Sequence, residues 1–200
     1  MLKRTFDVVF SALGLVLSAP LWIAIAAAVR LEDGGPVFFT QDRVGRGGRV
    51  FPAYKFRSMI PDAEREVGAV QARDDDPRIT RTGRILRATA MDELPQLWNI
   101  LRGDMSFVGP RPLRPGEADR TAAGVVPLSS IRGYDARHAI RPGLTGLAQV
   151  FAPRDAPRPV KFRYDLLYRR RSGFCLDLWL ILQSFRITLR GRWEHRGPKL

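Results

Sequence analysis

Cysteine is almost absent from this sequence of 200 residues, which contains only Cys175. A single cysteine cannot form an intramolecular disulfide, and it cannot build a zinc site made of several cysteines. The sequence also lacks internal repeats and low-complexity tracts. Because hydrophobic residues make up 45% of the chain, we expect neither a disordered nor a collagen-like protein. The length allows one compact domain, or one domain with a membrane element.

Acidic residues are scarce: 20 Asp and Glu stand against 33 Lys and Arg, which gives a formal charge of +13. This excess predicts an anionic partner, which is nucleic acid, an acidic membrane surface or a phosphorylated substrate. Residues 141–200 contain 13 of the basic residues and only 4 acids, so the last third carries most of the net positive charge. We expect no nucleic-acid partner, because no helix-turn-helix or aromatic RNA-binding motif is present.

The segment Val8 to Val29 contains 22 residues without a charge. As a straight helix it would be about 33 Å long, which is enough to cross the hydrocarbon of a bilayer. Three interpretations compete: a secretory signal peptide, a spanning helix and a re-entrant helix that returns to the side from which it enters. A signal peptide is disfavoured because its apolar region is normally about 7–15 residues long.

Proline and charge favour the re-entrant interpretation. Pro20 lies near the middle of the apolar segment, and a proline in a helix interior costs about 3 kcal/mol. We therefore expect a break at Ser18, Ala19 and Pro20. Basic residues flank both ends, and the positive-inside rule then places both ends in the cytoplasm. The sequence predicts a membrane-inserted element over residues 1–33 and a cytoplasmic domain over residues 34–200.

Two further elements are visible in the cytoplasmic domain. Strand-like runs at residues 37–40 and 50–56 are joined by a glycine-rich link, which predicts a short β-hairpin. Residues 61–71 are expected to form a solvated helix. An apolar run begins at Phe174 and follows the basic residues 169–171. It predicts a helix that either lies on a membrane surface or packs into a core.

An acidic pair, Asp92 and Glu93, precedes a predicted helix. The helix has one apolar face, and Pro95 is acceptable only in its first turn. That face consists of Leu94, Leu97, Trp98 and Leu101. Two adjacent acids at a helix start can divide catalytic work between a nucleophile or metal ligand and a proton carrier. They can equally be helix caps worth about 0.5–2 kcal/mol, and the pair alone does not decide.

Basic residues surround the acidic pair in the sequence, and some of them stand in the proline-containing turns at 109–112 and 141–143. A guanidinium can bind two phosphate oxygens at once, and a stiff turn lowers the cost of ordering it. This pattern favours phosphate recognition. The candidate residues are Lys55, Arg57, Arg87, Arg111 and Arg141.

Five segments in fixed order closely resemble the bacterial sugar transferases, the monotopic phosphoglycosyl transferases. The segments are residues 38–43, 54–59, 76–81, 91–112 and 140–149. The resemblance extends over residues 1 to about 190 and implies that the chain corresponds to the catalytic unit of this family. It implies an α+β, mostly helical monotopic membrane protein with an N-terminal re-entrant membrane helix, a short β-hairpin and amphipathic interfacial helices.

The resemblance also implies a reaction, the transfer of a phosphosugar from a UDP-sugar to undecaprenyl phosphate with release of UMP. This is the first membrane step of polysaccharide or glycoconjugate synthesis, at the cytoplasmic face of the bacterial inner membrane. Asp92 would form a covalent phosphosugar intermediate and hold Mg²⁺, and Glu93 would assist proton transfer or metal positioning. The implied substrate-binding residues are Lys55, Arg57, Arg87 and Arg111 for phosphate, with Arg141 and Gly143 near the nucleotide.

One departure from the family pattern concerns the membrane segment. Many relatives have Ser directly before Pro at the break, whereas Ala19 stands between Ser18 and Pro20 here. The alternative function is a catalytically silent membrane scaffold of a polysaccharide assembly complex, and the intact pair of Asp92 and Glu93 argues against it. The transferred sugar, the pathway and the oligomeric state are not predicted.

Overall fold

The computed structural model describes residues 2–63, 76–121, 124–153 and 155–193. Its helices are α1 (Leu2–Asp33), α2 (Arg81–Thr89), α3 (Gln96–Arg102), α4 (Tyr134–His138), α5 (Leu147–Phe151), α6 (Arg158–Arg171) and α7 (Phe174–Leu189). Its strands are β1 (Phe38–Val44), β2 (Val50–Phe56), β3 (Ser106–Val108), β4 (Ala118–Thr121), β5 (Gly124–Pro127) and β6 (Gly143–Thr145). This architecture confirms the predicted fold class. The helix predicted over residues 61–71 lies, from residue 64 onward, outside the described residues.

The strands form three two-stranded sheets. β1 and β2 make the predicted antiparallel hairpin, with Phe38 opposite Phe56 and Val44 opposite Val50. β4 and β5 are also antiparallel, whereas β3 and β6 are parallel. The sequence analysis did not predict these last two pairs. β3 and β6 contain only three residues each, which is too short for an alternating apolar pattern.

α1 is one helix from Leu2 to Asp33, with Pro20 inside it. Within the described residues it is the helix long and apolar enough to cross a membrane, with a mean hydropathy of 2.2. The chain therefore stays helical from Ser18 to Pro20, and the expectation of a broken helix there is wrong, whereas the kink at Pro20 stays a prediction. Pro20 removes only the N–H that would bond to the carbonyl of Val16, and the helix continues past that single loss. The Ser18 hydroxyl donates to the carbonyl of Gly14 at 2.6 Å.

The first turns of α1 contact elements that lie far along the chain. Arg4 Nη1 donates to the carbonyl oxygen of Ile100 at 2.6 Å, near the end of α3. The buried carboxylate of Asp7 accepts a hydrogen bond from Ser106 Oγ at 3.0 Å, at the start of β3. Lys3 Nζ lies 2.5 Å from the carboxylate of Asp177 in α7. These polar contacts fix the start of α1 on the domain that follows it.

The last turn of α1 contacts the same domain. The carboxylate of Glu32 accepts from the backbone N–H groups of Arg81 at 2.7 Å and Thr82 at 3.0 Å, which begin α2. Asp33 forms an ion pair with Arg57 at the end of β2. Both ends of α1 therefore contact one domain, while side chains in its middle are exposed. The most exposed of these are Val16, Leu17 and Ile23.

α3 presents a different buried face from the one predicted. Leu97 and Ile100 are buried, but Trp98 is 46% exposed although it belongs to the expected apolar stripe. Asn99 is fully buried instead, and its amide donates to the carbonyl of Pro52 at 2.8 Å. A buried amide is stable only when its polar atoms are bonded, and the β2 backbone supplies those bonds. The helix is thereby fixed against the hairpin.

α7 confirms that the apolar C-terminal run packs into the core, and its other face leaves the membrane-surface interpretation open as a prediction. Leu180 and Ile187 are fully buried against Val108 of β3 and Tyr168 of α6. The opposite face carries an exposed apolar stripe with helical spacing. Its members are Phe174, Leu178, Leu182, Phe185 and Leu189. One face of α7 packs into the core, and the other is an apolar surface of the kind found on interfacial helices.

We expect the variant Arg57→Gln to be less stable than the wild-type protein by about 2 kcal/mol, since charge-assisted hydrogen bonds to Asp33 and Pro36 are lost. Arg57 Nη1 donates to Asp33 Oδ2 at 2.5 Å, and Nε donates to the carbonyl of Pro36 at 2.5 Å. Denaturant unfolding in detergent measures the change. The exposed Arg84→Gln is the matched control, and equal midpoints for the two variants would contradict the prediction.

Candidate active site

Asp92 and Glu93 lie in a short 3₁₀ turn, Met91–Glu93, between α2 and α3. Ala90 adopts a left-handed conformation with φ of 56°, which ends α2 and turns the chain. Both carboxylates are buried, and Pro95 directly precedes the first residue of α3. The acidic pair therefore stands before a helix, as the sequence predicts, but inside the protein and not on a solvated helix end.

Glu93 is bound by two cationic side chains. Lys55 Nζ of β2 lies 2.5 Å from Glu93 Oε1, and Arg111 Nη2 lies 3.0 Å from the same oxygen. Lys55 Nζ is also 3.7 Å from Asp92 Oδ2. In the part of the chain that the structure describes, the Asp92 carboxylate accepts no hydrogen bond. Its oxygens thus retain lone pairs for a phosphorus atom or a metal ion.

The two carboxyl groups have different protonation behaviour. Burial, together with the negative charge of Glu93, raises the pKa of Asp92 to about 6 against the opposing effect of Lys55. Burial also acts to raise the pKa of Glu93, but the charges of Arg111 and Lys55 hold that pKa well below its usual range. Glu93 therefore stays ionised at neutral pH, and Asp92 loses its proton near pH 6.

A small cavity opens beside the acidic pair. It is lined by three cationic side chains and one ionised carboxylate, so its net charge favours an anion. The lining residues are Arg43, Ala53, Lys55, Glu93, Gln96, Arg111, Pro112 and Gly143. The structure thus brings together four of the residues predicted from the sequence, namely Lys55, Glu93, Arg111 and Gly143.

The other predicted site residues lie outside this cavity lining. Asp92 Oδ2 lies 3.7 Å from Nζ of Lys55, which lines the cavity. The charge of Arg87 lowers the pKa of Asp92. Arg141 Nε donates to the carbonyl of Gly103 at 2.9 Å. Arg57 binds Asp33 and the backbone at the end of α1, so the prediction that Arg57 binds phosphate does not agree with its position.

Gly143 lines the cavity because two backbones meet there. A Cβ atom at this position would lie 2.0 Å from the backbone nitrogen of Gly109 and 2.4 Å from the carbonyl oxygen of Thr145. Only glycine allows β6 to approach the end of β3 so closely. The turn that carries Arg111 is thereby packed against β6.

Arg43 and Gln96 line the cavity, although neither was a candidate in the sequence analysis. Arg43 lies on β1 at the position opposite Phe51. A single arginine on a hairpin strand gives no local indication of a site. Gln96 is buried at the start of α3, and a polar residue on the buried face of a short helix is the signal that could have identified it.

Metal binding here would depend on a substrate. Among the described residues, no group of three or more His, Cys, Asp or Glu side chains could hold a metal ion. Mg²⁺ is commonly bound by one or two carboxylates together with substrate phosphates. The carboxylate of Asp92, which accepts no hydrogen bond from the described residues, fits that donor set when a diphosphate occupies the cavity.

The comparisons with known proteins identify a family. The family model described as bacterial sugar transferase matches residues 1–191. The chain is 42% identical to the exopolysaccharide production protein PSS of Rhizobium leguminosarum bv. phaseoli, over 90% of this chain and 91% of that protein.

Two further relatives carry the names of enzymes. The UDP-glucose:undecaprenyl-phosphate glucose-1-phosphate transferase of Caulobacter vibrioides is 45% identical over 94% of this chain and 67% of that protein. The UDP-N-acetylgalactosamine-undecaprenyl-phosphate N-acetylgalactosaminephosphotransferase of Aeromonas hydrophila is 39% identical over 95% of this chain. The chain spans only 44% of the length of the Aeromonas protein, and similar shares of several other relatives.

We expect Gly143→Ala to destabilise the protein by about 1–3 kcal/mol, because the added methyl group forces β3 and β6 apart. Thermal unfolding in detergent provides the measurement. The control is Gly173→Ala, where the nearest atom to an added Cβ lies 4.0 Å away. Equal unfolding temperatures for the two variants would show that β6 does not pack on Gly109 as closely as described.

Proposed function

Because the chain belongs to the bacterial sugar transferase family, we propose that it transfers a phosphosugar from a UDP-sugar to undecaprenyl phosphate and releases UMP. The observation that carries this proposal is the environment of Asp92. Its buried carboxylate accepts no hydrogen bond from the described residues and lies next to a cavity lined by Arg43, Lys55 and Arg111. A group with these properties can attack a phosphorus atom that neighbouring cations hold in place.

In the first step, an oxygen of Asp92 attacks the sugar-bearing phosphorus of the UDP-sugar. A new bond forms between that oxygen and phosphorus. The bond from phosphorus to the bridging oxygen breaks, and its electron pair leaves with UMP. Lys55 and Arg111 line the cavity and would bind the phosphate oxygens as negative charge moves onto the leaving group.

In the second step, an oxygen of undecaprenyl phosphate attacks the same phosphorus atom. The bond from phosphorus to Asp92 breaks, the carboxylate is regenerated, and the product is an undecaprenyl diphosphate sugar. Asp92 must be ionised to attack, so burial, which raises its pKa to about 6, makes the first step slower below that pH.

Glu93 has a different role in this proposal. Its pKa lies well below the usual range, so it is a poor proton carrier near neutral pH. It binds Lys55 and Arg111 through a single oxygen, Oε1. We infer that Glu93 orients these two cations toward the phosphates. Of the two roles expected for Glu93, proton transfer is the less consistent with this geometry.

Mg²⁺ is the proposed cofactor, with Asp92 as its protein ligand. When bound, the ion would neutralise charge on the diphosphate and reduce its repulsion of an anionic nucleophile. The positive charge of Arg87 likewise favours an anionic nucleophile, because it stabilises the ionised form of Asp92.

The contacts of α1 support a monotopic arrangement at the cytoplasmic face of the inner membrane. Arg4 at the start of α1 and Glu32 at its end both contact one polar domain. If α1 spanned a bilayer, its two ends would lie on opposite sides of about 30 Å of hydrocarbon, and one polar domain could not contact both ends. The exposed apolar stripe of α7 would lie in the same membrane interface.

We expect Asp92→Asn to abolish UMP release from a panel of UDP-sugars in the presence of Mg²⁺ and undecaprenyl phosphate. An amide is a far weaker nucleophile than a carboxylate, and no acyl phosphate forms. UMP release and trapping of a labelled phosphosugar on the protein are the measurements. Chelation of Mg²⁺ should stop release by the wild-type protein, and its re-addition should restore it.

The control for this experiment is Asp135→Asn, which makes the same chemical change in α4, away from the cavity lining. Wild-type release by a preparation of Asp92→Asn free of wild-type protein would refute the assignment of the nucleophile. Binding of a UDP-sugar without release by the wild-type protein would support the silent scaffold instead.

Membrane topology gives a separate prediction. In a Cys175→Ser background, we expect Thr5→Cys at the start of α1 and Arg46→Cys in the β1–β2 turn to react with a membrane-impermeant maleimide only from the cytoplasmic side. The reason is that both positions belong to elements held on the same domain. Labelling in spheroplasts and in inverted vesicles measures this. Reaction of Thr5→Cys in intact spheroplasts would show that α1 spans the membrane.

A further inference from the structure

Three consecutive carbonyl groups after β3 are each bound by a donor from another part of the chain. The carbonyl of Arg111 accepts from Arg137 Nη2 at 2.6 Å, and that of Pro112 accepts from Arg43 Nη1 at 3.0 Å. The carbonyl of Leu113 accepts from the backbone N–H of Val44 at 2.8 Å. We call residues 111–113 the arginine loop. Its backbone is fixed from two sides, by α4 and by β1.

Arg137 is itself held in one orientation. It is 2% exposed, and its Nε donates to Asp165 Oδ2 at 2.9 Å. Its guanidinium carbon lies 4.8 Å from the centre of the Phe162 ring. Since it is buried and bonded on several sides, Arg137 cannot move out to bind a substrate. Its contact with the active site is the hydrogen bond to the carbonyl of Arg111.

His138 completes the surroundings of Arg137. His138 Nδ1 lies 2.8 Å from the carbonyl oxygen of Tyr134, so this nitrogen carries the proton. Nε2 is then free to accept from Arg137 Nη1 at 3.2 Å. Burial and the charge of Arg137 lower the pKa of His138 to about 4, which keeps the imidazole neutral and suited to accept this bond.

Arg43 holds the other side of the arginine loop. Its Nη2 donates to the side chain of Gln41, two residues earlier on β1, and its Nη1 donates to Pro112. Val44, the next residue on the strand, binds Leu113. Two neighbouring residues of β1 therefore bind two neighbouring residues of the arginine loop. Charged donors make stronger hydrogen bonds than neutral ones. The bonds from Arg43 and Arg137 therefore contribute most to holding the arginine loop in place.

The loop matters because of the side chain it carries. Arg111 is half-exposed and long, and its guanidinium reaches Glu93 in the cavity. A flexible backbone would let this side chain occupy many positions, and phosphoryl transfer depends on position. We propose that Arg43 and Arg137 are positioning residues that hold the arginine loop so that the Arg111 guanidinium stays at Glu93. The inference rests on the function proposed above.

A double-mutant cycle tests this inference. Arg43→Gln and Arg137→Gln are made alone and together with Arg111→Gln, and kcat/KM for UMP release is measured. Each single change should lower kcat/KM by up to about 100-fold, the scale of a misplacement of roughly 1 Å. In the Arg111→Gln background, the same changes should alter kcat/KM by no more than about twofold, because the side chain they position is gone.

Surface arginines provide matched controls. Arg46→Gln in the β1–β2 turn and Arg163→Gln on the exposed face of α6 remove the same charge from exposed positions, in the turn that follows β1 and on the helix that carries Asp165. They should leave kcat/KM within about twofold of the wild-type value. If Arg43→Gln or Arg137→Gln lowers kcat/KM by the same factor with and without Arg111→Gln, the inference is overturned. For Arg43, that result would indicate a direct contact with substrate.

Two further measurements keep the inference testable when a variant or the assay fails. Arg137→Gln leaves Asp165 buried without its partner and can prevent folding, in which case Arg137→Lys and the Arg43→Gln cycle decide. If the wild-type protein releases no UMP from any UDP-sugar, the proposed function fails, and hydrogen exchange of residues 106–114 then tests the inference. Faster exchange in Arg43→Gln but not in Arg46→Gln supports positioning, and unchanged exchange in both overturns it.

Discussion

The ion pairs of Glu93 with Lys55 and Arg111 are the interaction on which the site depends. A carboxylate buried to this degree must be paired with positive charge, or it takes up a proton. Lys55 comes from the hairpin, Glu93 from the turn before α3, and Arg111 from the loop after β3. Pairing the buried charge therefore brings three separate parts of the chain to one place. The cavity lined by Arg43, Lys55 and Arg111 is a product of that convergence.

The same pairing separates the properties of the two acids. Glu93 takes most of the stabilisation from Lys55 and Arg111, and Asp92 is left with a more distant cation and a higher pKa. One carboxylate thus organises the positive charge, and its neighbour stays available for bond formation. This division arises because Arg111 bonds to Glu93 and because Lys55 Nζ lies 2.5 Å from Glu93 but 3.7 Å from Asp92, while burial raises the pKa of Asp92.

Local patterns predicted the hairpin, the acidic pair and the long apolar helix, because each depends on residues close together in the sequence. Tertiary contacts determine the features that the local patterns did not predict, namely which side chains are buried and which arginines reach the site. Trp98 is exposed because Asn99 finds its partners on β2, and Arg57 serves α1 because Asp33 meets it across 24 residues. Arg43 has no local signal, since its partner Pro112 lies 69 residues away. Such pairings cannot be predicted from spacing.

The contacts of α1 also constrain how the protein is made. The partners of Lys3 and Asp7 are separated from them by 174 and 99 residues, so the ribosome delivers them long after α1 has been synthesised. During that interval the apolar surface of α1 has no domain to join. An apolar helix of this length is poorly soluble when it is exposed to water, so its surface has to be covered before the later elements fold. The start of α1 can therefore reach its final contacts only after α7, which carries Asp177, has been synthesised.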